Sequence, residues 1–312
     1  MLAIAVLTSP YALALGPLPP VCLDPVVACP KPQPDPPPQP KPRDPVAYRG
    51  LGTWVDAYDF SREYRGRTTP SAVDDMAAQG VKTLYIQAAK DRNGGETGVL
   101  SPDLLGQFLE RAHAKKMRVV GWYLPRFLDP NRDWGHVDAV LKFRSNGQAF
   151  DSVGIDIEST EQRDLTTRND RLVALSTKLR QAAGPMAVSA IVIPPVVTDT
   201  INKNYWPQFP WARLKPSYDV WIPMAYYTMR GKQPQWRDAY KYTTENARLL
   251  RNDVGDQNAT VHMAGGLGTD STAKDYDGLV RGAKDSNSVG ASSYDYAVTA
   301  RSAWATLRKS PA

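Results

Sequence analysis

The sequence predicts an α/β fold, a (β/α)8 TIM barrel preceded by a signal-like segment and a proline-rich linker. Three observations carry that expectation. Short apolar-rich runs recur between residues 52 and 296, helical patterns separate them, and no glycine-rich phosphate loop follows the first run. Eight strands alternating with helices over roughly 260 residues match the size and rhythm of a closed parallel barrel. A doubly wound open sheet would use fewer strands and would carry that loop.

The elements follow in order. Residues 1–16 open on Met1-Leu2-Ala3-Ile4-Ala5-Val6-Leu7, and Ala12-Leu13-Ala14 offers a small-residue cleavage site. That pattern reads as a secretory signal without its positively charged start, and it is too short to span a membrane. Residues 17–47 form the linker. From Pro30 to Pro45, prolines alternate with Lys, Gln, Asp and Arg, which favours an extended polyproline II spacer. Cys22 and Cys29 are placed to close a small disulfide loop in an oxidising compartment. Acylation of Cys29, after Val26-Val27-Ala28, is the alternative, and the preceding Pro and Asp residues argue against it. The expected location is secreted or cell-envelope associated.

The barrel domain is expected over residues 48–312. Its strands are expected at 52–58, 82–87, 118–123, 152–158, 187–193, 219–226, 260–266 and 290–296. Ser101-Pro102-Asp103 supplies an N-cap, a first-turn proline and an early acid, and Leu105, Phe108, Leu109 and Ala112 then recur at helical spacing. Leu172, Leu175 and Leu179 mark a second helical stripe, stopped by Gly184-Pro185, and Trp304 and Leu307 lie on a final helix.

Composition excludes several chemistries. Of 312 residues, 42% are hydrophobic and 22% charged, so a substantial core is expected. The net charge of +6 is spread without any Lys/Arg-rich run, which argues against nucleic acid as a partner. His113, His136 and His262 share no metal-ligand spacing, and both cysteines precede the barrel. No metal, no cofactor and no membrane span are expected, and a monomer is.

Catalytic groups of such barrels gather at the C-terminal ends of the strands. Side chains alternate along a strand, so Gly154, Asp156 and Glu158 share one face while Val153, Ile155 and Ile157 share the other. The apolar set suits a covering of helices, which turns Asp156 and Glu158 into the barrel mouth. Interior carboxylates cost several kcal/mol unless they are paired or functional. Neighbouring carboxyls in a partly dry site tend to keep one proton near neutrality, which suits a general acid. Glu158, further along the strand, takes that role and Asp156 is its partner. On the first strand, Trp54, Asp56 and Tyr58 share a face, making Asp56 a third candidate carboxylate. Trp54, Tyr58, Gln87, Tyr123, Tyr226 and Tyr294 form the candidate ring around the mouth, aromatic faces for stacking and a planar amide for hydrogen bonding. The long connection 194–218, with Tyr205, Trp206, Phe209 and Trp211, is expected either to wall the cleft or to pack on the barrel. Arg126, Asp129 and Asp270 are secondary candidates.

The segment Phe150-Asp151-Ser152-Val153-Gly154-Ile155-Asp156-Ile157-Glu158 resembles the catalytic strand of chitinase-type (family 18) glycoside hydrolases, F-D-G-x-D-x-D-x-E. It keeps the first Asp, the last Asp and the Glu, and has Gly154 in place of the middle Asp. Two strands later, Met224-Ala225-Tyr226-Tyr227 is similar to that family's M-x-Y-D, with Tyr227 in place of the Asp. The final strand offers Ser292-Ser293-Tyr294-Asp295-Tyr296 and lacks the family's usual Trp. The resemblance implies substrate-assisted hydrolysis. Glu158 would protonate the leaving oxygen, Asp156 would orient the substrate's 2-acetamido group, Tyr226 would hydrogen-bond it, and Met224 and Tyr227 would line the site. A weaker similarity links Asp56 and the D-x-E strand to family 25 lysozymes, which would fit a muramidase. Strand seven, His262-Met263-Ala264-Gly265-Gly266-Leu267, lacks the nucleophilic Glu of the large cellulase-type clan. The expectation is an extracellular glycoside hydrolase-like enzyme whose partner is a polymer of N-acetylated amino sugars. The alternatives are an inactive carbohydrate-binding barrel and a glycosidase of an undescribed family acting on a neutral polysaccharide.

Overall fold

Eight parallel strands pair in chain order and close on one another in the computed structural model, which describes residues 43–91 and 95–312. They are β1 (Gly50–Val55), β2 (Thr83–Lys90), β3 (Arg118–Leu124), β4 (Ser152–Ile157), β5 (Val188–Val192), β6 (Val220–Pro223), β7 (Thr260–Leu267) and β8 (Gly290–Tyr294). The helices are α1 (Ala57–Phe60), α2 (Ala72–Ala78), α3 (Pro102–Ala114), α4 (Pro130–Lys142), α5 (Leu165–Ala183), α6 (Trp211–Leu214), α7 (Ala239–Val254), α8 (Ala273–Asp285) and α9 (Trp304–Leu307). The signal-like segment, the proline-rich stretch as far as residue 42, Cys22 and Cys29 lie outside the described residues. No helix among the described residues is long and apolar enough to cross a membrane.

Alternation along the strands divides the core in two. Outward residues such as Val153, Ile155 and Ile157 join the helix-facing cluster with Leu172, Leu175 and Leu179 of α5. The inward cluster combines aliphatic residues with the large rings of Tyr48, Trp54, Tyr85 and Trp122. Trp54 stacks on Tyr85 at 4.4 Å between ring centroids and meets Trp122 edge-on at 6.0 Å. Such pairs add roughly 0.5–1.5 kcal/mol each beyond their burial. Rings of this size fit only because small residues face them. A Cβ on Gly52 would lie 2.6 Å from the Tyr85 ring, and one on Gly154 would lie 2.9 Å from Ser189 Oγ.

The floor of the barrel is closed by a satisfied polar chain. Trp54 Nε1 donates to Ser292 Oγ at 2.8 Å, and Ser292 Oγ lies 3.0 Å from His262 Nε2. His262 Nδ1 lies 2.8 Å from the Tyr48 carbonyl, which can only accept, so Nδ1 carries the hydrogen. Burial lowers this imidazole to about 4, which keeps it neutral and structural. Arg43 donates to the Gly184 carbonyl at 3.0 Å, and Ala47 and Tyr48 are buried. Ordered contacts with the barrel therefore reach back to Arg43, ahead of residue 48.

Several strands end before their expected limits, and the ends of β1 and β4 place two of the candidate carboxylates. The strand β4 stops at Ile157, which leaves Glu158 on the lip. The strand β1 stops at Val55 because Asp56 turns the chain into α1. Its carboxylate accepts the backbone N–H groups of Tyr58 and Asp59 at 2.7 and 3.1 Å, and Asp59 reciprocates toward the Asp56 backbone. A capping box competes well with strand extension for an aspartate.

Candidate active site

Register places Asp156 beside Ile191 of β5, on the inward phase it shares with Gly154. Asp156 is 6% exposed, and its Oδ1 has no hydrogen-bond partner among the described residues. Glu158 follows on the lip, where its backbone carbonyl accepts from the Tyr205 hydroxyl at 3.1 Å. Burial pushes the Asp156 carboxyl well above the usual carboxylate range, and the neighbouring Glu158 charge adds to this. Burial raises Glu158 as well. Against both shifts works Lys90, at the end of β2, whose positive charge favours the carboxylate forms. The arrangement holds a proton on the pair more readily than water would.

Tyrosines complete the mouth. Tyr226, after β6, and Tyr294, ending β8, lie 5.7 Å apart between ring centroids, and Tyr294 donates to Asp56 Oδ2 at 3.0 Å. Burial raises the Tyr226 phenol well above its ordinary value, and Asp156, Glu158, Asp295 and Asp56 add to the rise. Both effects favour the protonated phenol, which is able to donate. Beside Glu158 opens a pocket of about 340 Å³, walled by Tyr205, Met224 and Tyr226.

Asp56 belongs to a second acidic group. One oxygen each of Asp56, Asp59 and Asp295 lie within 4.8 Å of one another, close enough to share a proton or a cation. Burial raises Asp59 to about 7, with Asp295 and Asp56 adding to the shift. A carboxyl raised in the fold stabilises it fully below its unfolded value, and that contribution is lost as pH rises through the folded value. Asp59→Asn stays neutral throughout and retains an acceptor for the Asp56 backbone. Its melting temperature relative to the native chain should therefore climb between about pH 4 and about pH 8. A difference that stays flat across that window would mean that Asp59 is ionised throughout.

Several candidates sit elsewhere than expected. Tyr123 faces the helices: it is 0% exposed, donates to Asp133 at 2.7 Å and stacks on His136. The inward aromatic of β3 is Trp122. Tyr227 is also 0% exposed and belongs to the outer core, so the backbone turn after Tyr226 carries its ring away from the mouth. Tyr58 is 58% exposed on α1, off the strand face it was expected to share with Trp54. Trp54 is buried beneath Tyr294 in the barrel interior. Gln87 is buried on the inward phase, with its carbonyl accepting from Ala57 N at 2.9 Å. Arg126 pairs with Glu161 and Asp91, Asp129 caps α4, and the Asp270 carbonyl accepts from Arg237. Asp151, the first acid of the β4 motif, is held at the opposite end of the strand by His113, Arg118 and Val119 N.

The long connection after β5 does both things expected of it. Tyr205 walls the pocket, whereas Trp206 is buried, bonds Asn169 and packs edge-on against Phe127 and Phe209. Lys90 and Arg230, which also lines the pocket, escaped the sequence reading because a single cation near a strand end leaves no periodic signal.

Comparison with known proteins supports the fold. No family model and no curated protein sequence matches the chain. Solved structures do match, all at low identity. A class V chitinase from Nicotiana tobaccum, solved in complex with NAG4, has a TM-score of 0.60 and 10% identity over 84% of this chain and 98% of its own. A class V chitinase from Pseudomonas fluorescens Pf-5 has a TM-score of 0.59 and 11% identity over 84% and 99%. The spore cortex-lytic enzyme SleL from Bacillus megaterium has a TM-score of 0.59 and 8% identity over 85% and 74%. The chain therefore has a barrel fold resembling that of chitinases and of a cortex-lytic enzyme.

Proposed function

We propose that this chitinase-like barrel is a glycoside hydrolase acting on a polymer of N-acetylated amino sugars, with Glu158 as general acid and base. The observation that carries the proposal is the Asp156–Glu158 pair at the barrel mouth, both carboxyls pushed toward the protonated form by burial, with Glu158 lining a pocket. A carboxyl that keeps its proton near neutrality is suited to donating it to a glycosidic oxygen. Glu158 transfers that proton as the bond from C1 to the leaving oxygen breaks. The carbonyl oxygen of the substrate's 2-acetamido group bonds to C1 in its place. Water then attacks C1, reopens the ring so formed and returns a proton to Glu158. Asp156, with its orphaned buried oxygen, accepts the acetamido N–H, and Tyr226 donates to the same group.

The test is incubation of the purified chain with chitin oligomers, peptidoglycan and neutral polysaccharides, followed by assay of new reducing ends. Products from the acetamido polymers alone are expected, and turnover of neutral polysaccharides alone would overturn the acetamido role. Lys90 offers a check on the pair. Removing its charge in Lys90→Met raises both carboxyls, so the alkaline limb of kcat/KM should move to higher pH. A limb that stays in place would remove Lys90 from the site.

Gly154 and Tyr227, the departures from the chitinase pattern, favour a second reading: a barrel that binds glycan without turnover. Export is part of the proposal too, supported by the apolar opening segment and the proline-rich stretch. Detecting the native chain in medium or envelope fractions tests it.

A further inference from the structure

Arg230 stands out in the pocket beside Glu158. Its backbone is pinned in a turn, with its N–H donating to the Tyr227 carbonyl at 3.0 Å and its carbonyl accepting from Gln233 N at 3.0 Å. Its side chain lines the pocket with Glu158 and Tyr226, among apolar neighbours such as Ile193, Val197 and Met229. The guanidinium Nε is buried and makes no hydrogen bond, and no carboxylate among the described residues lies within ion-pair distance of Arg230. The buried hydroxyl of Tyr242 feels the Arg230 charge.

A buried guanidinium N–H without an acceptor is costly, because that donor loses water and gains nothing in exchange. Arginine is suited to a carboxylate, which its forked N–H groups hold in two parallel bonds. Elsewhere in this chain arginines are used in that way: Arg62 grips Asp103, and Arg237 grips Asp275 through both of its oxygens. Glu158 shares the pocket but makes no ion pair with Arg230, so the guanidinium beside the pocket is left without a carboxylate among the described residues.

We infer that the pocket beside Glu158 takes a sugar bearing a carboxylate, held by Arg230. This rests on the glycoside hydrolase reading and narrows its substrate to an acidic glycan. Two sources share the chemistry: a lactyl ether on an amino sugar, free of attached peptide so that its acid is ionised, and a uronic acid.

Calorimetric titration of the full chain tests it, using oligomers of peptide-free peptidoglycan strands, the same oligomers with carboxyls reduced to alcohols, hexuronate oligomers and chitin oligomers. The carboxylated glycan should bind about 10- to 100-fold tighter than its reduced counterpart, the range for a hydrogen bond to a charged group. Arg230→Gln should erase that preference, so that carboxylated and reduced oligomers bind it equally. Whichever carboxylated oligomer shows the Arg230-dependent preference names the source. Equal binding of carboxylated and reduced oligomers by the native chain overturns the inference, as does a preference that survives in Arg230→Gln. Carboxyl reduction on the native chain carries the test by itself if the variant does not fold. A reducing-end assay on the same oligomers keeps the two readings apart. Turnover without preference sinks only the anion site, and preference without turnover sinks only the hydrolase.

Discussion

Glu158→Gln should lower glycan hydrolysis about 100- to 10,000-fold, the usual worth of a positioned general acid, while glycan affinity changes little. The substitution keeps shape and removes only the transferable proton. The Glu158 side chain makes no hydrogen bond within the described structure, and the Tyr205 contact is to the backbone carbonyl, so the fold has no reason to respond. Steady-state kinetics and calorimetry on the two proteins measure both halves of the expectation. A variant as active as the native chain would take Glu158 out of the mechanism. A native chain that binds glycan without turnover, with Glu158→Gln binding equally, would establish the binding-module reading instead.

Gly154→Asp should destabilise the fold by about 3 kcal/mol or more, although it restores the acid that chitinase-type strands carry at this position. A Cβ here would meet Ser189 Oγ at 2.9 Å, Ile191 Cδ1 at 3.2 Å and Trp122 Cβ at 3.5 Å. Trp122 and Ile191 belong to the buried inner cluster, so the added carboxylate would enter a crowded, largely apolar layer below Asp156, whose own carboxyl adds like charge. Overpacking and an unpaired buried charge act in the same direction. Denaturant unfolding of native and variant chains measures the difference, and a variant of native stability would show that the interior can yield at Gly154. The barrel interior fills the space beside Gly154 with Ser189, Ile191 and Trp122. In the proposed mechanism, proton handling then rests on Asp156, Glu158 and the charge of Lys90.

The two faces of β4 differ sharply in chemistry, with Gly154 and Asp156 on one and Val153, Ile155 and Ile157 on the other. Only one phase keeps the apolar residues against helices, so the inward direction of Asp156 was legible beforehand. The strand β3 carries no such contrast. Val119, Val120, Trp122 and Tyr123 are apolar or aromatic on both faces, and Tyr123 was assigned to the mouth that Trp122 faces. At Tyr226-Tyr227 the expected strand has already ended, so alternation no longer predicts which ring turns inward. Asp56 was expected on a strand and is a helix cap, because its carboxylate finds backbone N–H groups two and three residues ahead.

Sequence alone determined the eightfold alternation of strand and helix and the pairing of two acids on one face, since both follow from local periodicity. Tertiary structure decided which carboxyls are pushed toward the protonated form, which tyrosines reach the mouth, and that a lysine and an arginine join them. Those properties depend on desolvation and on charges brought together from distant strands, and no local pattern encodes either.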